Sequence, residues 1–224
     1  MEATGAKRFR DRFEAGRLLA ERLREHAGRD DVIVLALPRG GVPVAYEVAK
    51  ALGAPLDVFV VRKLGVPGHE ELAMGAIASG GVAVLDERLI GAIGLSGEHL
   101  ERVIAAELQE LERREAAYRG SHDSPDLADK TVILVDDGLA TGSTMRAAAV
   151  AVRRQNPARI VVAVPVAAAE TCDEFRDVVD EVVCGATPRP FHAVGLWYDD
   201  FSQTSDEEVR KLLTRAAQRE DEPA

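Results

Sequence analysis

Apolar and polar positions along the chain follow two rhythms in turn. From about Phe13 to Ala27, Leu18, Leu19 and Leu23 share one face and Arg and Glu the other. That spacing predicts an amphipathic helix ended near Gly28. Val32 to Leu37 is apolar without alternation, as a strand buried on both faces reads. It stops at Pro38-Arg39-Gly40-Gly41. A helix then runs to about Leu52, with Pro43 tolerated in its first turn and Gly53 closing it. Leu56 to Val61 reads as a second buried strand and leads into Arg62-Lys63.

The stretch from Leu64 to Gly81 carries Gly65, Gly68, Gly75, Gly80, Gly81 and Pro67. It is too long and too rich in glycine for an ordinary connection, and it reads as a mobile loop with at most a weak hairpin. Val82 to Leu85 is a short strand. Ser96 caps a long helix to about Tyr118, with Leu100, Val103, Ile104, Leu108 and Leu111 at helical spacing. Ser121 to Asp129 is a polar connector. Thr131 to Val135, Arg159 to Val164 and Glu181 to Cys184 are further strands. Helices from Ser143 to Gln155 and from Ala168 to Asp177 separate them. Ser205 opens a last helix, and Glu208 three residues on completes a capping box.

Strands alternating with helices predict an α/β fold: a doubly wound, mostly parallel sheet with helices on both faces. The chain has 224 residues and no internal repeat, which suits one domain over 1–224 with its core at about 30–200. Residues 185–204 form a loop and 205–224 a C-terminal helix and charged tail. Hydrophobic residues make up 46% of the chain, enough for a sizeable core. The formal net charge of −10 disfavours duplex nucleic acid or an anionic membrane as main partner, while leaving room for a locally positive pocket. No run approaches 18 apolar residues, and Met1 to Arg12 is charged with no apolar stretch behind it. Cys172 and Cys184 have no metal-type spacing, and two cysteines make no disulfide framework. The chain reads as soluble and cytoplasmic.

In an open parallel sheet, ligands sit beyond the carboxyl ends of the strands. Three chemically loaded segments fall there: Pro38 to Gly41, Arg62-Lys63, and Asp136 to Thr144. Ala140-Thr141-Gly142-Ser143-Thr144 offers successive backbone amides and three hydroxyls at a helix start. That suits a monophosphate, because unpaired amides and the helix dipole both favour an anion. Alone, Thr141 or Ser143 could simply cap the helix. Asp136 and Asp137 just before the cradle would repel a phosphate unless something intervenes. Ribose hydroxyls can donate to them, and Mg²⁺ can neutralise charge nearby. Phosphate at one end and hydroxyl acceptors at the other describe a 5-phosphorylated ribose.

Val132 to Thr144 resembles the signature of type I phosphoribosyltransferases: four apolar strand residues, two acidic ones, a short spacer, then Thr-Gly-x-Ser/Thr. The likeness extends over roughly Val32 to Tyr198. It is nearest to phosphoribosyltransferase-like proteins with a Pro-Arg-Gly-Gly loop and an Arg-Lys at the next strand end. The resemblance implies that Asp136 and Asp137 hold the ribose hydroxyls of phosphoribosyl pyrophosphate, with Mg²⁺ reaching them through water and substrate. Gly138, Leu139 and Ala140 to Thr144 would bind its 5-phosphate end. Arg39, Gly40 and Gly41 would form the pyrophosphate loop, where glycine admits the backbone and Arg supplies a forked cation. Arg62 and Lys63 would open a flexible lid over Leu64 to Gly81, with Lys63 beside Arg39 on the pyrophosphate. Taken alone, that pair reads as solvated charge.

Ten aromatic residues make their placement informative. Phe191, Trp197, Tyr198 and Phe201 gather after the last strand, where the family places a small C-terminal hood over the base. An aromatic there could stack on a nitrogenous ring, or the loop could merely pack. His192 could touch substrate or be solvated. His69, Glu70 and Glu71 lie in the expected lid and are candidates for proton transfer. His69-Glu70 lacks the second histidine of a zinc protease.

The implied activity is transfer of a phosphoribosyl group to a small nitrogen acceptor. The strand after the phosphate-binding helix lacks the Lys of hypoxanthine–guanine enzymes, and the glycine-rich C-terminal signature of uracil enzymes is missing, which puts standard nucleobase salvage in doubt and leaves a nucleobase or a related amine or heterocycle open as acceptor. Dimers are common in the family, and the long helix from Ser96 could serve an interface or pack internally. A sensor keeping the phosphoribosyl site without catalysis is the main rival. A haloacid-dehalogenase-like phosphatase needs two aspartates separated by one residue, but Asp136 and Asp137 are adjacent. A nucleotide kinase is excluded because Gly-x-x-x-x-Gly-Lys-Ser/Thr does not occur.

Overall fold

A computed structural model of the chain describes residues 8–120 and 124–220. The start of the polar connector at Ser121 and the end of the charged tail lie outside them. Helix α1 (Arg12–Arg22) is capped by Asp11, whose side chain accepts from the Glu14 amide, and a 3₁₀ turn (Arg24–His26) follows it. Strand β1 (Val32–Ala36) leads to α2 (Gly41–Leu52), which Gly53 ends with φ 65°. Then come β2 (Leu56–Val58), β3 (Val61–Val66), β4 (His69–Ala78), β5 (Val82–Leu85), α3 (Glu87–Ile93) and α4 (Gly97–Arg119). The second half runs β6 (Thr131–Val135), α5 (Ser143–Arg153), β7 (Arg159–Val166), α6 (Ala169–Phe175), β8 (Glu181–Ala186) and α7 (Asp206–Glu220).

The main sheet is parallel, in the order β2-β1-β6-β7-β8. Alternate residues of its strands feed two layers, as the pleat requires. Val34, Ala36, Ile133, Val135 and Val161 join α1, α2, α4 and α7 on one face. Leu35, Val132, Leu134, Ile160 and Val162 join α5 and α6 on the other. The doubly wound α/β expectation holds, and every loaded segment before Thr144 follows a strand's carboxyl end or sits near it.

The expected mobile loop from Leu64 to Gly81 is instead folded. β3, β4 and β5 make a three-stranded antiparallel sheet, in which Lys63 pairs with Ala76 and Ile77 with Ala83. Glycine content misled because the anchors are few but deeply placed. Leu64 and Met74 are 0% exposed and Ile77 1%, all in the cluster that also holds Val34 and Val44. Gly75 is required by close approach, since a Cβ there would meet the Val84 carbonyl oxygen at 2.4 Å.

The two cysteines are a second correction. Cys172 in α6 and Cys184 in β8 form a disulfide with Cα atoms 6.8 Å apart. The crossover from β7 through α6 back to β8 brings together residues that no spacing rule would pair.

Burial predicts the behaviour of the small sheet. Met74→Ala should cost about 2–5 kcal/mol in denaturant unfolding. Amides of Leu64 and Ile77 should exchange slowly without ligand. Loop-like exchange across both strands would restore the mobile-lid reading.

Candidate functional site

Two of the loaded segments meet at the carboxyl edge of the main sheet, and the third borders them from β3 through Lys63. β6 ends in Asp136 and Asp137, both part-buried. Asp136 Oδ1 accepts the backbone N–H of Asp137 at 2.8 Å. Gly40 and Gly41 press against the pair: a Cβ on Gly40 would collide with the Asp137 carboxylate, and one on Gly41 would lie 2.9 Å from Asp136 Cα. The Pro-Arg-Gly-Gly loop and the acidic pair are therefore in direct contact, and only glycine permits the approach.

Arg12, which the sequence reading passed over, completes the arrangement. Its Nε donates to Asp137 Oδ2 at 2.9 Å, and both side chains are largely buried, 11% and 15% exposed. Its Nη1 donates to the Ser202 carbonyl at 2.6 Å, and the guanidinium lies 4.1 Å from the centre of the Phe201 ring. No local signal marks Arg12, because its partner stands 125 residues away. Desolvation pushes both aspartate carboxyls above the ordinary range, and repulsion from Asp137 raises Asp136 further; Arg12 opposes the rise in both.

The cradle follows. Gly138 and Leu139 are buried, and the Leu139 amide donates to the Val166 carbonyl at 2.9 Å. Gly142 takes φ 73° as the N-cap of α5, which turns the chain so that exposed Thr141, Ser143 and Thr144 ring the helix start. The Thr141 and Ser143 hydroxyl oxygens are 3.3 Å apart. Helix α6 buttresses the loop: Thr171 Oγ1 donates to the Ala140 carbonyl at 2.7 Å, and a Cβ on Gly142 would meet the Phe175 ring at 2.6 Å.

The cationic pair after β2 divides. Lys63 lines an open cavity of about 1150 Å³ whose wall also includes Thr141, Ser143, Thr144, Arg88 and Arg146. Its neighbour on the strand points the other way, as period-two geometry demands: Arg62 Nε meets Glu107 Oε2 at 2.5 Å, and Nη1 lies 3.7 Å from Glu110 Oε1, both on α4. Arg62 is thus a structural ion pair and leaves the candidate site. Arg39 lies away from Lys63's cavity, with Nη1 3.7 Å from Asp206 Oδ1 at the start of α7.

The late aromatics are mainly packing. Tyr198 is 4% exposed and sits with Phe9, Ala15 and Val166 in a small cluster, against which Phe191 and Trp197 pack partly buried. The Tyr198 hydroxyl donates to the Asp137 backbone carbonyl at 2.5 Å, so the residue braces the acidic turn rather than offering a face to a base. His192 is exposed. His69 begins β4, and the side chains of Glu70 and Glu71 lie outside the described residues.

A family model described as a phosphoribosyl transferase domain matches residues 9–186. Proteins from two strains of Mycobacterium tuberculosis, each provisionally named a phosphoribosyl transferase, are 48% identical over 210 residues, 94% of this chain and 47% of theirs. The chain spans about half the length of these curated relatives. The crystal structure of TT1426 from Thermus thermophilus superposes with a TM-score of 0.80 at 44% identity, covering 93% of this chain and 98% of that one.

The raised carboxyls predict a trade of stability against binding. When a carboxyl is harder to ionise in the folded state, the unfolded chain loses its proton first as pH rises. Stability then falls from about pH 4 upward until the folded group ionises. Asp136→Asn removes that charge and keeps an oxygen for the Asp137 amide. The variant should unfold at higher temperature than the parent at pH 7.5, with the difference shrinking toward pH 4. An equal or lower midpoint at pH 7.5 would contradict the assigned electrostatics.

Proposed function

The chain belongs to the phosphoribosyl transferase family, and we propose that it transfers a 5-phosphoribosyl group from phosphoribosyl pyrophosphate to a small nitrogen acceptor. The observation that carries the reading is the placement of two part-buried carboxylates directly before a helix start ringed by Thr141, Ser143 and Thr144. Those two ends match the hydroxyls and the 5-phosphate of one ribose.

In this reading the amides of Thr141 to Thr144 and the positive end of α5 hold the 5-phosphate. Ribose hydroxyls donate to Asp136 and Asp137. Arg12 donates to Asp137 and offsets part of the cost of burying its charge, and Tyr198 fixes its backbone. The Pro38 to Gly41 loop lies toward the pyrophosphate, and Arg39 reaches it by leaving Asp206. Lys63 serves the phosphate-bearing end of the ligand from the wall of the cavity it shares with the cradle. The bond from ribose C1 to pyrophosphate breaks, with the oxygen keeping its electron pair. The acceptor's nitrogen lone pair closes on C1, and its proton leaves to solvent. Positive charge developing on the sugar lies over the aspartate pair, where fixed negative charge stabilises it.

Mg²⁺ fits this donor set through substrate and water. The Asp137 amide takes one oxygen of Asp136, and Arg12 takes one of Asp137, so these bonds leave the other oxygen of each carboxylate unused. When bound, the ion would neutralise the departing pyrophosphate.

The reading is tested by incubation with phosphoribosyl pyrophosphate, Mg²⁺ and a panel of nitrogen heterocycles and amines, following pyrophosphate release. Release that depends on one acceptor supports transfer; tight binding with no release under any acceptor would indicate a sensor instead. Replacing both Asp136 and Asp137 by Asn removes two charge-assisted acceptors worth roughly 1.5–3 kcal/mol each. Affinity for phosphoribosyl pyrophosphate should fall well over tenfold while affinity for inorganic phosphate holds or rises. Unchanged sugar-phosphate binding would sink the assignment.

A paired comparison separates the cations of β3. Lys63→Ala should weaken phosphoribosyl pyrophosphate, whereas Arg62→Ala should leave its affinity level and lower only stability. Equal losses of affinity in both would mean that both side chains reach the ligand.

A further inference from the structure

The amino edge of the main sheet, opposite the acidic pair, holds a second polar constellation. His26, in the turn after α1, is 2% exposed, and among the described residues neither of its ring nitrogens has a hydrogen-bond partner. Its Nε2 lies 3.4 Å from Glu181 Oε2 at the first residue of β8 and 3.7 Å from Glu25 Oε1. One ligand atom from each of the three falls within 4.8 Å of the others. An imidazole sealed from water with both nitrogens unbonded is unusual, since buried polar atoms are normally satisfied.

We propose that Glu25, His26 and Glu181 form a structural site for a divalent transition cation of the zinc class. Ligand bonds of about 2.1 Å in tetrahedral geometry place donor atoms about 3.4 Å apart, close to the two separations His26 makes. The donor set selects the ion: imidazole with carboxylates suits zinc or cobalt, whereas magnesium prefers oxygen alone. Arg159 Nη2 donates to Glu181 Oε2 at 3.0 Å. A carboxylate oxygen has two lone pairs, so that bond orients Glu181 and leaves it able to bind metal, as outer partners of metal ligands do. The Glu25 side chain is 69% exposed, which gives the ion an entry path and room for water as a fourth ligand. Filled, the site ties the end of the α1 segment to β8, and α1 is the helix whose first residue holds Asp137.

The test is a cobalt titration of the full chain in excess Mg²⁺, which occupies oxygen-only sites. The parent should bind one Co²⁺ with the visible absorption of a four-coordinate ion, and Zn²⁺ should displace it and raise the unfolding midpoint. Glu25→Gln alters an exposed side chain and should fold normally, yet bind at least tenfold more weakly. His26→Gln should abolish the absorption. The double Asn variant of Asp136 and Asp137 should bind cobalt like the parent. No binding by the parent would leave His26 and Glu181 in plain contact with no ion between them, and equal binding by Glu25→Gln would place the ion elsewhere. Either result overturns the site.

Discussion

Two adjacent carboxylates at the end of a buried strand set the terms for the surrounding structure. Asp136 and Asp137 follow five fully buried residues of β6, so their charge is held where water screens poorly. Left alone the pair would repel and protonate. Arg12 opposes this at Asp137 from the first turn of α1, and Ser202, Phe201 and Asp137 together hold the guanidinium in place. Gly40 and Gly41 let the neighbouring loop lie against the pair. Tyr198 braces the turn from the C-terminal loop. The acidic pair thus gathers the N-terminal helix, the loop after β1 and the segment before α7 around one point.

That arrangement explains a division of labour between two kinds of interaction. The acceptors depend on long-range contacts, with partners drawn from both ends of the chain. The cradle is local: Gly142 turns the backbone, α5 supplies amides, and the nearby α6 supports the loop through Thr171 and Phe175. The Cys172–Cys184 disulfide ties that supporting helix to β8. A ligand spanning acceptors and cradle bridges a distantly assembled half-site and a locally assembled one.

What the sequence revealed follows the same division. Features encoded within a few residues were legible: the apolar runs of β1 and β6, the Ser96 cap of α4, the Gly53 stop of α2, and the signature from Val132 to Thr144. Features that depend on distant partners were not. Arg12 looked like one more charge in a polar N-terminal stretch, and the disulfide has no spacing rule. Arg62 and Lys63 looked equivalent until β3 assigned them to opposite sides, one toward α4 and one toward the cavity. The glycines between Leu64 and Gly81 suggested mobility because burial of Leu64, Met74 and Ile77 comes from tertiary packing. Tyr198 looked like a stacking surface, whereas its ring is in the core and its hydroxyl serves the backbone.

One sugar phosphate, bridging the acidic pair and the cradle, is what the arrangement is built to hold. A crystal structure with ribose 5-phosphate bound tests it most directly. The phosphate should sit against the amides of Thr141 to Thr144, and two ribose hydroxyls within hydrogen-bond distance of Asp136 and Asp137, with Arg12 still paired to Asp137. A phosphate seated elsewhere, or a sugar turned away from both aspartates, would contradict it.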